Sequence, residues 1–389
     1  MTVWPFPRAR YIDHDADLHR LVTELAAESL IALDTESNSL YAYQERVCLV
    51  QISTRTADYI LDPLRIADMS PLGTLLADGR IEKVFHAAEY DLMCLKRDYG
   101  FVVNNLFDTM IAARVCGLKH VGLNRLLAEY CGVIADKSHQ RDDWGERPLT
   151  DDSLLYAQMD THYLPILRDH LHNKLAEAEL TAEAEEIFRE AQDVEAANNQ
   201  FDPDGFWRIA IPNDLTRRQT TILRELYLLR DELARERDCP PFKVFTDHLM
   251  VALASAAPNS MNELKQVEHG LSSGQFRRYG HEVLRAVERG KRAPMLHVPP
   301  RPPDIAPPVV ERFAALRDWR RERAESRGVE SDVIISKNAL WALAHKAPTS
   351  LDDLRDIPGL GPWRLSAYGE DILDVMQRFI NSSNHSNGG

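Results

Sequence analysis

No run of eighteen or more apolar residues occurs in the sequence, so no segment is suited to cross a bilayer as a helix. Cysteine is sparse. Cys48, Cys94, Cys116, Cys131 and Cys239 are scattered, odd in number and never spaced as CxxC, which excludes a zinc ribbon and fits a reducing, cytoplasmic setting. The stretch Met1–Arg8 lacks a basic start followed by an apolar run, so no secretory signal is expected. Positive charge is also short: 46 Lys and Arg stand against 60 Asp and Glu, a net charge of −14. Taken whole, that is the wrong sign for a partner of phosphate backbones. The deficit is uneven. Residues 1–200 hold 34 acids and 19 Lys or Arg, a net of −15, whereas residues 201–389 hold 26 and 27. An acidic first half means either solvated helix faces or carboxylates gathered to hold cations. What is present is ordinary for a globular protein: 44% hydrophobic and 27% charged residues, which excludes a disordered or collagen-like chain. The 389 residues predict two to four domains.

The first half alternates short apolar runs with helical patterns. Ser29–Asp34, Val47–Ile52, Asp58–Leu61 and Glu82–His86 read as strands of a buried sheet. Ala88–Arg97, Thr109–Cys116 and Leu123–Cys131 read as helices, with Asp108 as an N-cap and Gly132 closing the third. Asp151–Leu175 reads as one long helix kinked near Pro165. Together they predict an α/β layer structure with a mixed sheet flanked by helices. The Ala- and Glu-rich stretch 176–200 reads as a solvated helix leading out of the domain.

The second half is all-α and repeats itself. Leu226–Arg230 matches Leu316–Arg320, Val244-Phe245 matches Ile334-Ile335, and Ala257-Pro258 matches Ala347-Pro348, at an offset of 90. One deletion later Tyr279-Gly280 matches Tyr368-Gly369. These are two copies of one small helical domain. The proline-dense stretch between them favours an extended spacer. The expected organisation is 1–205, a sheet-containing domain; 206–292, the first repeat; 293–308, the linker; 309–380, the second repeat; and 381–389, a disordered tail rich in Asn, Ser and Gly.

The strongest chemical signal is a set of acids. Asp34 and Glu36 close an apolar strand at i and i+2, so both carboxylates project from one face. Like charges so placed repel, and a divalent cation with a taste for oxygen ligands removes the conflict. Asp91 follows the strand ending at His86, and Tyr156 and Asp160 stand four apart on one helical face. Each pattern alone is common by chance; their order and contexts together are specific.

At this point the chain resembles a known family. Ile31–Glu36, Val84–Asp91 and Tyr156–Asp160 are similar to the three motifs of the DEDD nucleases in their tyrosine-containing, DEDDy, form. Lys137–Leu149 resembles the segment that precedes the third motif in the ribonuclease D family, and the two repeats resemble HRDC domains. The resemblance implies a ribonuclease-H-like fold and a 3′–5′ exoribonuclease that releases 5′-nucleoside monophosphates. It implies two divalent ions, Mg²⁺ or Mn²⁺. Asp34 would bridge both, Glu36 and Asp160 would complete the first site, Asp91 would serve the second, and Tyr156 would orient the attacking water. It points to RNA 3′ ends, transfer RNA precursors above all, as substrates of a monomeric enzyme whose HRDC domains touch RNA. A 3′–5′ DNA exonuclease and a catalytically silent nucleic-acid scaffold are the alternatives.

Further substrate contacts are expected from His86, Gln51, Gln140, Trp144 and Arg147. An aromatic beside a guanidinium suits stacking and phosphate contact. The alternative for Trp144 is a loop anchor packed on the core. In the repeats, the Gly-rich turn Ile357–Gly361, flanked by Arg355 and Arg364, can offer backbone N–H groups to a phosphate. The alternative is a stripe in the first copy, Arg277, Arg278, Arg285, Arg289, Lys291 and Arg292.

Overall fold

A computed structural model of the chain describes residues 4–134, 138–196, 199–211, 213–300 and 303–386, with side chains to Arg378. Lys137, in the segment before the third acidic motif, lies outside the described residues, as do linker residues 301–302 and the last three residues of the tail.

The chain forms two compact units. The first holds residues 1–36, 47–197 and 303–389, and the second holds 37–46 and 198–302. The grouping differs from the linear order expected of domains. The second helical repeat belongs with the sheet, and the loop 37–46 belongs with the first repeat.

The sheet of the first unit has six strands: β1 (Arg10–Ile12), β2 (Leu30–Ser37), β3 (Val47–Ser53), β4 (Asp58–Leu61), β5 (Glu82–Phe85) and β6 (Leu106–Asp108). Their order is β1-β4-β3-β2-β5-β6. β3 and β4 run antiparallel, while β1 with β4, β2 with β5 and β5 with β6 run parallel. The sheet is mixed, as the sequence pattern predicts.

Side-chain alternation divides the core in two. Ile31 and Leu33 of β2 pack into one apolar cluster with Phe85, against helices Asp15–Leu25, Ser70–Ala77 and Glu89–Tyr99. Leu30 and Ala32 point the other way, with Val84, against Thr109–Val115, Leu164–Glu177 and Thr181–Gln192. Leu30 to Leu33 are all buried, and the next four residues are half-buried. The acids therefore begin where β2 leaves the core.

Two expectations change here. The predicted helix Asp151–Leu175 is two helices, Asp151–His162 and Leu164–Glu177, meeting at Tyr163. Pro165 sits in the first turn of the second, where a missing N–H breaks no helical hydrogen bond. The Glu-rich helix Thr181–Gln192 is not a solvated exit. Glu183 and Glu186 are buried because arginines of the second repeat meet them. Arg327 binds Glu183 through both nitrogens at 2.6 and 2.8 Å. The N–H groups of Trp363 and Arg364 donate to Glu186 at 2.6 and 3.3 Å, and the Arg364 guanidinium reaches Glu190 at 2.8 Å.

The second repeat has its own core around Leu316, Trp319, Leu340, Leu343 and Ile372. Its helices Pro307–Arg327, Lys337–Lys346 and Pro362–Ser386 correspond to Arg217–Glu236, Asp247–Ala256 and Ser273–Arg292 of the first repeat. Ala257 and Ala347, 90 residues apart, both adopt positive φ, 44° and 51°. The last helix runs through Asn381 to Ser386, so the stretch expected to be disordered is helical up to that point: polar residues there extend an existing helix, which needs no new nucleus. Among the described residues no helix is long and apolar enough to cross a membrane.

In the second unit the first repeat packs around Leu223, Leu226, Phe245, Leu253 and Val283. The loop 37–46 joins it through Tyr43, whose hydroxyl donates to Asp231 at 2.6 Å and whose N–H donates to Asp238 at 3.1 Å.

Candidate active site

Asp34 and Glu36 stand on the half-buried end of β2, and Asp160 reaches them from helix Asp151–His162. One carboxylate oxygen from each of the three lies within 4.8 Å of the others, so the trio can hold a metal ion. Asp91, in the first turn of helix Glu89–Tyr99, faces the same cleft. Its Oδ1 accepts from the Thr35 N–H at 3.0 Å and from the Thr35 hydroxyl at 2.5 Å. Thr35, between the two strand acids, thus ties Asp91 to β2. Tyr156, one turn before Asp160, also lines the cleft and donates its hydroxyl hydrogen bond to Asp160.

All four carboxyls of the site are raised, each chiefly by burial. Burial, and next the charges of Asp91 and Asp160, push the Asp34 carboxyl well above the usual range. Glu36 is raised in the same way, by burial and then by Asp160 and Asp91. Asp91 is pushed up to about 7, chiefly by burial and against the pull of the Thr35 hydrogen bonds. Asp160 also rises to about 7 by burial, against its bond from Tyr156. Burial and the neighbouring carboxylates raise the Tyr156 phenol, so it stays protonated. Four acids held this close raise each other's protonation unless a cation neutralises them. Hard carboxylate oxygens on a partly open cleft suit a divalent ion.

Asp108 fixes the approach to Asp91. As the N-cap of helix Thr109–Val115 it accepts from the N–H groups of Met110 and Ile111. It also accepts from those of Ala87 and Ala88, at 3.1 and 2.7 Å. This pins the turn before Asp91's helix, where Ala87 has φ 62°.

The cleft, about 380 Å³, brings together Asp34, Glu36, Asp91, Tyr156 and Asp160 with His86 and Gln140. The His86 ring lies 2.9 Å from the Thr109 hydroxyl, and burial lowers its pKa, so it faces the cleft as a neutral imidazole. Three expected substrate contacts lie elsewhere. Gln51 is fully buried because β3 is an interior strand covered on both faces. The Arg147 guanidinium is fully engaged within the fold: it binds Asp62 at 2.7 and 2.8 Å and the carbonyls of Cys48, Trp144 and Glu146. Trp144 is 1% exposed and packs with its ring 6.1 Å from that of Tyr156, so it anchors the loop behind the tyrosine. Tyr90, Asn124 and Arg125, which no sequence pattern marks, also line the cleft. Asn124 and Arg125 begin a helix, Leu123–Tyr130, whose place beside the acids is set by tertiary packing and leaves no mark in sequence spacing.

The Gly-rich turn of the second repeat is likewise occupied. Arg364 is 3% exposed, and the N–H groups after the turn hold Glu186, so no phosphate can enter there. In the first repeat, Arg285, Arg289 and Arg292 of the expected stripe are paired with Glu282, Glu225 and Glu288.

Comparison with known proteins agrees with this geometry. Residues 9–176 match the family model of a 3′–5′ exonuclease, and residues 219–287 and 310–376 match the HRDC domain. Ribonuclease D of Acidiphilium cryptum is 30% identical over 95% of this chain and 93% of its own. The exosome complex component 10 homolog of Caenorhabditis elegans is 34% identical over 83% of this chain but only 36% of its own length. The crystal structure of Escherichia coli RNase D, an exoribonuclease involved in structured RNA processing, superposes with a TM-score of 0.68 at 28% identity, over 96% of this chain and 99% of that one. The acidic cleft, the mixed sheet and the paired HRDC repeats place the chain in the ribonuclease D family of 3′–5′ exoribonucleases.

Proposed function

We propose that the chain trims the 3′ ends of transfer RNA precursors and other small structured RNAs, one 5′-nucleoside monophosphate at a time, using two divalent ions, Mg²⁺ or Mn²⁺. The observation that carries this is the convergence of the Asp34, Glu36 and Asp160 carboxylates within 4.8 Å, with Asp91 and Tyr156 on the same cleft. Asp34, Glu36 and Asp160 would hold one ion, and Asp34 and Asp91 the other. Such a pair, when bound, acidifies water and neutralises charge on the leaving 3′ oxygen.

The chain's own residues do the positioning. Thr35 holds the Asp91 carboxylate through two hydrogen bonds. Tyr156, protonated and braced by Trp144, offers a hydroxyl that orients the attacking water for in-line displacement at the last phosphodiester. His86, neutral, and Gln140 offer hydrogen bonds to the terminal nucleotide. Residues 1–205 then form the nuclease and 206–292 and 309–380 the two HRDC domains of a monomer. The five cysteines, scattered and without a CxxC pair, suit a reducing cytoplasm.

The test uses 5′-labelled single-stranded RNA and matched DNA, with Mg²⁺, Mn²⁺ or EDTA, and Asp34→Asn as control. A metal-dependent ladder shrinking from the 3′ end, faster on RNA and on a precursor with a 3′ extension, is expected. Faster loss of DNA, or binding without cleavage under every metal, overturns the proposal.

A further inference from the structure

The two helical repeats share not only a fold but a particular set of hydrogen bonds. Arg237 donates to the Tyr279 hydroxyl at 2.6 Å, and its counterpart Arg327 donates to that of Tyr368 at 2.8 Å. Gln275 donates to the Val244 carbonyl at 2.8 Å, and Arg364 to that of Ile334 at 3.0 Å. Arg230 and Arg320 donate likewise to the carbonyls of Phe245 and Ile335. These matches fix the equivalence of the two sites residue by residue.

In the second repeat the site is a carboxylate receptor, and it is full. Arg327 grips Glu183, and the first turn of the last helix grips Glu186. Val333, beside it, is buried in the apolar cluster of the nuclease helices.

In the first repeat the equivalent position is an open pocket of about 250 Å³, lined by Arg237, Lys243, Arg278 and Tyr279 and by the first turn of helix Ser273–Arg292. Val333 is replaced by Lys243, and Ala367 by Arg278. An apolar docking residue has become a cation, and a neutral one another. Arg237, Lys243 and Arg278 are exposed, and among the described residues none has a carboxylate partner, whereas Arg230, Arg235, Arg285, Arg289 and Arg292 of the same repeat are each paired with an acid. Lys243 lies 4.2 Å over the Tyr41 ring, a further flat surface beside the charge.

We propose that this pocket is an anion site for the phosphodiester backbone of RNA, the open counterpart of the carboxylate receptor that the second repeat has closed on its own nuclease domain. A chain that is acidic overall has few places to hold a polyanion, and three cations that no carboxylate pairs among the described residues, converging on one pocket, form one. The inference rests on RNA being the substrate and adds which repeat holds it and through which residues.

The test compares the full chain with Arg237→Glu/Lys243→Glu/Arg278→Glu and with the milder Lys243→Glu/Arg278→Glu, which leaves the Arg237–Tyr279 hydrogen bond intact. Binding of a 5′-labelled single-stranded RNA is titrated in EDTA at several salt concentrations, and hydrolysis of a dinucleotide, which needs only the catalytic cleft, is measured with Mn²⁺. The triple variant is expected to bind RNA at least tenfold more weakly, with a log-log salt slope shallower by about 2 for three lost single-strand contacts. The double variant falls in between, and dinucleotide hydrolysis stays within twofold. Failure of the unsubstituted chain to hydrolyse the dinucleotide would instead strike the catalytic reading. Unchanged RNA affinity and salt slope in the double variant overturn the proposal. So does unchanged RNA affinity with lost binding of a glutamate-rich peptide, which would make the pocket a protein receptor.

Discussion

Replacing Arg327 by alanine is the sharpest perturbation the fold offers. Its guanidinium meets both oxygens of Glu183 at 2.6 and 2.8 Å and also the Tyr368 hydroxyl. The Glu183 side chain is 0% exposed and that of Arg327 is 23% exposed. The variant leaves a buried carboxylate without its counter-charge, a loss of about 3–5 kcal/mol. Because water reaches the arginine end, the lower figure applies, about 3 kcal/mol, or roughly a hundredfold in the unfolding equilibrium of the docked second repeat. Removing both charges, as Glu183→Leu/Arg327→Met, should restore most of it, since the desolvation cost leaves with the pair. The pH dependence has a definite sign. Burial holds the Glu183 pKa above its ordinary value even beside Arg327. Without Arg327 it rises further, and a raised carboxyl contributes stability that is present at low pH and lost as pH rises through the folded pKa. The variant's deficit should therefore be larger at pH 8 than at pH 5. Urea titration followed by tryptophan fluorescence reports on this, because three of the six tryptophans, Trp319, Trp341 and Trp363, belong to the second repeat. A single variant within about 0.5 kcal/mol of the parent, or a double variant as weak as the single, would refute the reasoning.

The catalytic site gives three more expectations. Asp34→Asn and Asp160→Asn should each abolish hydrolysis while circular dichroism stays unchanged; near-normal turnover in either would remove the carboxylate cluster from the reaction. Tyr156→Phe should lower the rate by roughly a hundredfold or more with Mn²⁺ affinity by calorimetry nearly intact, and a parallel loss of affinity would make the tyrosine a metal-site residue instead. The metal-free protein should lose thermal stability as pH rises from about 4 through 7, because Asp91 and Asp160 have folded pKa values near 7 and raised carboxyls favour the folded state only while protonated. Mn²⁺ should then raise the melting temperature more at pH 8 than at pH 5; an equal rise at both, or metal-free stability that increases with pH, contradicts the acid cluster.

The acids were legible because each sits on a regular element with a fixed period. Asp34 and Glu36 share a strand face, and Tyr156 and Asp160 share a helix face, so spacing alone aims them. Asp108 was legible as a cap for the same local reason, though not as the clamp on the turn before Asp91. Strands β1 and β6, three residues each, escape any period-based reading. The loop residues went wrong in a consistent direction. Arg147 and Trp144 have the chemistry of substrate contacts, but composition cannot say whether a guanidinium meets a phosphate or Asp62. The Glu-rich helix misled likewise, since a buried glutamate and a solvated one look alike until the partner arginine, about 140 residues on, is placed (Glu183 and Arg327 are 144 apart).

One more step in the divergence of the two repeats lies at the start of their last helices. Ser272 caps the first repeat's helix, its hydroxyl accepting from the Gln275 N–H and its own N–H donating to the Gln275 side chain. The second repeat has Gly361 there, and a Cβ at that position would lie 2.3 Å from Cδ of Glu186. Without a side chain the glutamate carboxylate enters and caps the helix from outside, which also satisfies donors that would otherwise be buried and unpaired. A serine at 361 would supply a cap of its own and expel the glutamate, and with it the docking of the second repeat. The first repeat, capped from within, needs no such partner, and its cations Arg237, Lys243 and Arg278 stay open to an anion from outside the chain. One repeat is thus chemically suited to brace the nuclease and the other to meet its substrate.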